Sequence, residues 1–169
     1  MIEIPAAVRA MFAAAGWYPG RTVGISSSIP PDHPAAAVLT QFGGLLIGTS
    51  GPGEECATSD IAFQEILLKD SGLDLWASLL RSDLVGVAEM SHAHEELYID
   101  RNGRCYGASL MHDAFGFEGA TFCEAIERRL LGRRSRPMLR PDQNSVRWYG
   151  EEIRAHDPRI YHWDWGSFR

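Results

Sequence analysis

The sequence lacks the features that would tie it to a secreted scaffold, a membrane or a nucleotide. Its cysteines, Cys56, Cys105 and Cys123, are an odd number at wide spacings, which excludes a fully paired disulfide framework. No signal-peptide pattern opens the chain, so a reducing, cytoplasmic setting is expected. Its apolar runs are far too short to cross a bilayer, and no membrane partner is expected. Ser50-Gly51-Pro52-Gly53-Glu54-Glu55 has the glycines of a phosphate loop but no following Lys, and its two acids would repel phosphate. It reads as a mobile solvated loop. A zinc deaminase needs Cys-x-x-Cys beside its His-x-Glu, and the three cysteines cannot supply it. His94-Glu95-Glu96-Leu97-Tyr98 does not close a zincin motif, and no Gly-x-Ser-x-Gly elbow accompanies Ser109, His112 and Asp113. Loop hydrogen bonding is the better account of that last group.

What is present is an ordinary globular composition, 45% hydrophobic and 22% charged over 169 residues. That length suits one domain burying about 68–70% of its unfolded surface. The net charge of −6 conceals an asymmetry: residues 1–126 carry six Arg/Lys against sixteen Asp/Glu, and residues 127–169 ten Arg against six acids. The main body is therefore a poor nucleic-acid binder and suits a basic partner.

Ile4, Val8, Met11, Phe12 and Ala15 form one apolar stripe, predicting a first helix with Pro5 in its opening turn and Gly16 at its end. Gly16-Trp17-Tyr18-Pro19-Gly20-Arg21 then makes a structural corner: two rings to bury, a fixed proline angle, two permissive glycines, and an Arg able to hold several loop carbonyls. Thr22–Ser28 reads as a short edge strand before Pro30-Pro31. Asp32 or His33 caps a second helix bearing Val38, Leu39 and Phe42 and stopped by Gly43-Gly44. Leu45–Ile47 reads as a strand buried on both faces, Thr58–Leu68 as a further strand, and Asp70 or Ser71 as the cap of a helix carrying Leu75, Trp76, Leu79 and Leu80. After a strand at Leu84–Ala88, two β-rich runs flank Asn102-Gly103. If that pair is the turn, Ile99 faces Tyr106 and Leu97 faces Ala108. Phe122, Ala125, Ile126 and Leu130 predict a fourth helix ending at Gly132, with Arg128, Arg129, Arg133 and Arg134 at its negative end. The aromatic-rich remainder, including Trp148, Tyr149, Tyr161, Trp163, Trp165 and Phe168, either wraps over the core or docks on another chain.

The Gly-Trp-x-Pro-Gly-Arg string, Phe42-Gly43-Gly44-Leu45 and the hairpin Asp100-Arg101-Asn102-Gly103-Arg104-Cys105-Tyr106, in this order, resemble the SUKH superfamily of bacterial toxin-immunity proteins, third subfamily. The resemblance covers about residues 1–132 and leaves 133–169 as an Arg- and aromatic-rich C-terminal extension. It implies an α+β fold, a mainly antiparallel mixed sheet flanked by helices, with no catalytic residues, cofactor or metal. It also implies a role as a binding module that neutralises a cognate polymorphic toxin, a nuclease or nucleic-acid deaminase, in the producing cell. Complementary charge would favour such a basic partner.

Local acid density nominates Glu54, Glu55, Glu89, Glu95 and Glu96 as partner contacts. The alternatives are a metal-dependent hydrolase using His92 and His94, which would share one face of a strand, or a scaffold domain of the same fold without a toxin partner.

Overall fold

A computed structural model describes residues 1–67 and 71–163. Helix α1 (Ala6–Ala14) begins after Pro5 and buries Val8 and Phe12, while Met11 lies at the solvent margin. Gly16 turns the chain at φ +91°. Helix α2 (Pro34–Phe42) is capped by His33, whose Nδ1 accepts the Ala35 N–H at 3.1 Å. Burial lowers the His33 pKa, keeping the ring in the neutral form that the cap requires. Helices α3 (Ser71–Leu80) and α4 (Phe122–Leu131) follow at the expected places. In α4, Thr121 caps the start and Gly132, at φ +66°, closes the end. Asp70, named as a possible cap of α3, lies outside the described residues, as do Leu68, Trp165 and Phe168.

The strands are β1 (Leu46–Ile47), β2 (Gly51–Pro52), β3 (Ala57–Thr58), β4 (Ile61–Ile66), β5 (Val85–Met90), β6 (Glu95–Ile99), β7 (Cys105–Ser109), β8 (Phe115–Gly119), β9 (Arg136–Met138), β10 (Ser145–Trp148) and β11 (Glu151–Arg154). One seven-stranded sheet runs β1-β4-β5-β6-β7-β8-β9, every neighbouring pair antiparallel. The chain is thus an α+β protein with an antiparallel main sheet flanked by helices, as expected.

Strand alternation divides the sheet into two chemical faces. Ile61, Phe63, Ala88, Met90, Leu97 and Ile99 point towards α1, α2 and α4 and join one core with Phe12, Phe42 and Phe122. Phe42 and Phe122 stack at 5.4 Å. Each of these Ile, Leu, Met and Phe side chains, fully buried, contributes about 1.5–3 kcal/mol. On the opposite face Tyr98, Tyr106 and Phe115 pack under α3, with Trp76 stacked on Phe115 at 4.5 Å. The segment after α4 adds β9 to the sheet edge, and Tyr161 stacks on Phe117 at 4.0 Å. A third small core beneath β10 and β11 holds Val146, Trp148, Ile153 and Ile160.

Several expectations need correcting. Thr22–Ser28 forms no strand: Val23 donates to the Thr40 carbonyl, so the segment follows α2 instead of a sheet edge. Leu45–Ile47 is not buried on both faces: on the edge strand β1, Ile47 points into the core while Leu46, on the other face, is 61% exposed. Tyr18 and Leu75 are exposed as well, although Trp17 packs against Phe12 and Phe42. The 50–55 loop is anchored: Glu54, Glu55 and Cys56 donate backbone N–H groups to the carbonyls of Leu131 and Gly132.

The hairpin register differs by one residue. Ile99 faces Cys105 and Leu97 faces Gly107. Asp100 to Gly103 is a turn closed by the Gly103 N–H on the Asp100 carbonyl, and only Gly103 has positive φ, at +82°. Asn-Gly therefore serves a three-residue loop with a glycine bulge instead of a two-residue turn. The buried Asp100 carboxylate selects it, accepting from Asn102 N, Arg104 N and the Tyr106 hydroxyl at 2.8, 2.9 and 3.2 Å.

Candidate interaction surface

The five nominated glutamates separate into three environments. Glu54 and Glu55 meet the end of α4: Arg133 Nε donates to Glu54 at 2.7 Å, and the Arg134 N–H donates to Glu55 at 2.8 Å. The Arg133 hydrogen bond holds the Glu54 pKa below its ordinary value. Glu95 shares the parity of Leu97 and Ile99 and so points to the three-helix face, where it accepts a short hydrogen bond from Arg129 of α4. Glu89 and Glu96 have the other parity. They stand directly opposite each other on β5 and β6, on the α3 face, and both are partly exposed. No ion pair reaches either one among the described residues; Glu96 accepts the Tyr98 hydroxyl. Like charges directly opposite on neighbouring strands are destabilising.

The buried partner of Glu95 was not foreseen. Arg129 is 7% exposed and also donates to Glu118 at 2.7 Å, a carboxylate wholly removed from water. Burial raises the Glu118 pKa despite the opposing pull of Arg129, and Glu118 Oε2 has no protein partner. Gly107 makes room for the pair, since a Cβ there would lie 2.6 Å from Glu118 Oε1 and 2.8 Å from Arg129 Nη2. One sequence signal was available. Phe115 and Phe117 alternate with Gly116 and Glu118, so a strand with one apolar face aims an acid at the other core.

The structural-corner residues hold together one end of α2. Arg21 donates to the carbonyls of Gln41 and Gly43 at 2.7 and 2.8 Å. Pro19 and Gly20 are exposed, Gly20 at φ +87°, while Gly44, at φ +81°, donates to the Phe63 carbonyl. Asn102 and Gly103 form the tip of the β6–β7 loop.

His92 and His94 lie in a tight turn between β5 and β6, not on a strand, so the shared-face geometry for a metal does not arise. Among the described residues no group of three His, Cys, Asp or Glu is placed to hold a metal ion. That turn is unusual: Ser91, His92 and Ala93 have φ of +52°, +56° and +61° in succession. Each non-glycine residue held there costs about 1–2 kcal/mol. Asp60 stabilises it by accepting the His92 N–H at 3.1 Å, and Ser59 Oγ accepts the Ser91 N–H at 3.0 Å.

Next to this turn is the β7–β8 loop. Ser109 Oγ accepts the N–H groups of both Met111 and His112 at 3.2 Å, and Asp113 binds Arg140 through both oxygens at 2.6 Å. Ser109, His112 and Asp113 are thus occupied in shaping the loop. A cavity of about 90 Å³ lies between this loop, α3 and Glu96. That is far below the roughly 300–1,000 Å³ of a small-molecule site.

The seven-stranded antiparallel sheet with helices on both faces defines the class, an α+β domain. The family follows: the model of the SUKH-3 immunity protein family matches residues 4–132, and the chain belongs to that family. Membership implies an immunity role, the binding and neutralisation of a cognate toxin. No functionally curated protein and no solved structure matches the chain. Among the described residues, no helix is long and apolar enough to cross a membrane.

Proposed function

We propose that this chain neutralises its toxin in the cytoplasm by stoichiometric binding, without catalysis, and that it docks through the α3 face of the sheet around Glu89 and Glu96. The carrying observation is that these two carboxylates oppose each other, partly exposed, with no ion pair to either among the described residues. A basic partner would relieve their repulsion. Glu54, Glu55 and Glu95 are already engaged within the chain and have less to offer a partner.

The partner chemistry that fits is a toxin acting on nucleic acid, a nuclease or deaminase, because such an enzyme presents basic surface to its substrate. The acidic body of this chain disfavours direct nucleic-acid binding. Residues 1–132 are the toxin-binding domain in this reading, and residues 133–169 are an extension whose described part, to residue 163, braces it.

The test is co-expression with the toxin encoded beside this chain. Wild type should restore growth and E89K/E96K should not, while E54Q/E55Q should rescue normally. Loss of rescue with E54Q/E55Q and full rescue with E89K/E96K would place the contact elsewhere.

A further inference from the structure

We propose that Leu110 and Met111 form a preorganised apolar anchor for the toxin, and that the C-terminal segment holds this anchor in place through Arg140. The proposal rests on the toxin-binding reading above and names the contact that supplies its affinity.

Leu110 and Met111 are adjacent large apolar side chains, 52% and 64% exposed. A loop that merely connects β7 to β8 gains nothing by presenting them to water. Nor is the loop loose. Ser109 Oγ accepts two of its N–H groups, and Leu110 donates its own N–H to the His94 carbonyl at 2.9 Å. Arg140 grips Asp113 with a two-point ion pair, and Gln143 Nε2 donates to the Asp113 carbonyl at 3.3 Å. The His94 contact joins the anchor to the left-handed turn, which Asp60 fixes in turn. A loop backbone fixed in advance does not have to be ordered on binding, so more of the energy of burying its apolar side chains remains as affinity.

Charge identifies the occupant. Leu110 and Glu96 border the same small cavity, and Glu96 faces Glu89. The matching surface is therefore an apolar recess rimmed by Arg or Lys on the partner protein. Nucleic acid offers no such recess, and the two carboxylates repel its phosphates. Arg140 acts as a positioning residue: it lies outside the anchor and works by fixing Asp113.

The experiment uses the full chain and the catalytically inactivated toxin domain encoded beside it, with affinities measured by titration calorimetry. L110S/M111S should bind on the order of 100-fold more weakly, with only a small drop in thermal midpoint, because both side chains are already more than half exposed. R140Q should weaken binding about tenfold, yet cause no further loss when added to L110S/M111S, since its effect passes through the anchor. Wild-type binding with L110S/M111S within threefold of it overturns the anchor and leaves the immunity reading standing. Failure of wild type to bind or rescue overturns both. Sedimentation supplies another arm: self-association of wild type that L110S/M111S abolishes assigns the anchor to a second copy of this chain and overturns the toxin assignment.

Discussion

The two faces of the main sheet treat acidic side chains in opposite ways. On the three-helix face, Glu95 and Glu118 converge on Arg129, a cation almost wholly withdrawn from water. On the α3 face, Glu89 and Glu96 confront each other, and no ion pair reaches either among the described residues. Neighbouring positions of β6 thus carry a structural acid and an available one, separated by the two-residue period of a strand. The C-terminal excess of arginine belongs to the same comparison. Arg129, Arg133 and Arg140 pair with Glu118, Glu54 and Asp113 of the acidic body. Much of the charge asymmetry is therefore consumed within the chain, and only the residue left over describes a partner.

Removing Arg129 should produce the largest effect. R129M strands a buried Glu118 and a half-buried Glu95, and loss of one member of a buried ion pair costs about 3–5 kcal/mol. That is a large share of the roughly 5–15 kcal/mol that holds a domain folded. Urea unfolding followed by circular dichroism measures it. If the cost arises from the stranded charge, E118L/R129M should recover most of it, because Glu95 can turn to solvent. A double variant as unstable as R129M would assign the loss to packing.

Steric pressure on the same pair comes next. G107A places a methyl group against Glu118 and Arg129, and overpacking of a filled core costs about 1–3 kcal/mol. The pair also sets a pH dependence. The Glu118 pKa is raised in the folded protein, so the folded state binds this proton more tightly than the unfolded chain. Its contribution is complete below the ordinary value of 4.5 and is lost as pH rises through the folded value. Wild-type urea midpoints should accordingly carry a component that falls as pH climbs above 4.5, and E118Q should lack it.

Much of the fold was legible because local signals agreed with tertiary ones. The apolar stripe of α1, the His33 and Pro34 start of α2 and the Gly132 stop of α4 each follow from short-range chemistry that the core then uses. Legibility failed where a second, distant partner decides. Thr22–Ser28 has strand-like residues but no strand beside it, and α2 takes its hydrogen bond instead. The Asn102-Gly103 register turned on Asp100, whose buried carboxylate favours a longer loop from the same dipeptide. Arg129 sat in a run of arginines that reads as a solvated helix end, and only the fold brings Glu118 beneath it. The acids were legible as a density; their assignment to faces was not, because it depends on strand parity and on which helix covers each face.

The smallest stability effect belongs to the α3 face, and its sign gives it value. E89Q and E96Q each remove one member of a like-charged pair on opposing strands, so each should raise stability by about 0.2–1 kcal/mol. Added salt should shrink the gain, since screening weakens the repulsion that the wild type retains. The same substitutions should weaken toxin binding, with most of the change in the association rate, because exposed charges steer encounter more than they hold a complex. A residue that lowers the stability of its own fold and raises the affinity for a partner is doing interface work. If E89Q or E96Q instead destabilises the free protein, the carboxylate is structural like Glu95, and the contrast between the two faces collapses.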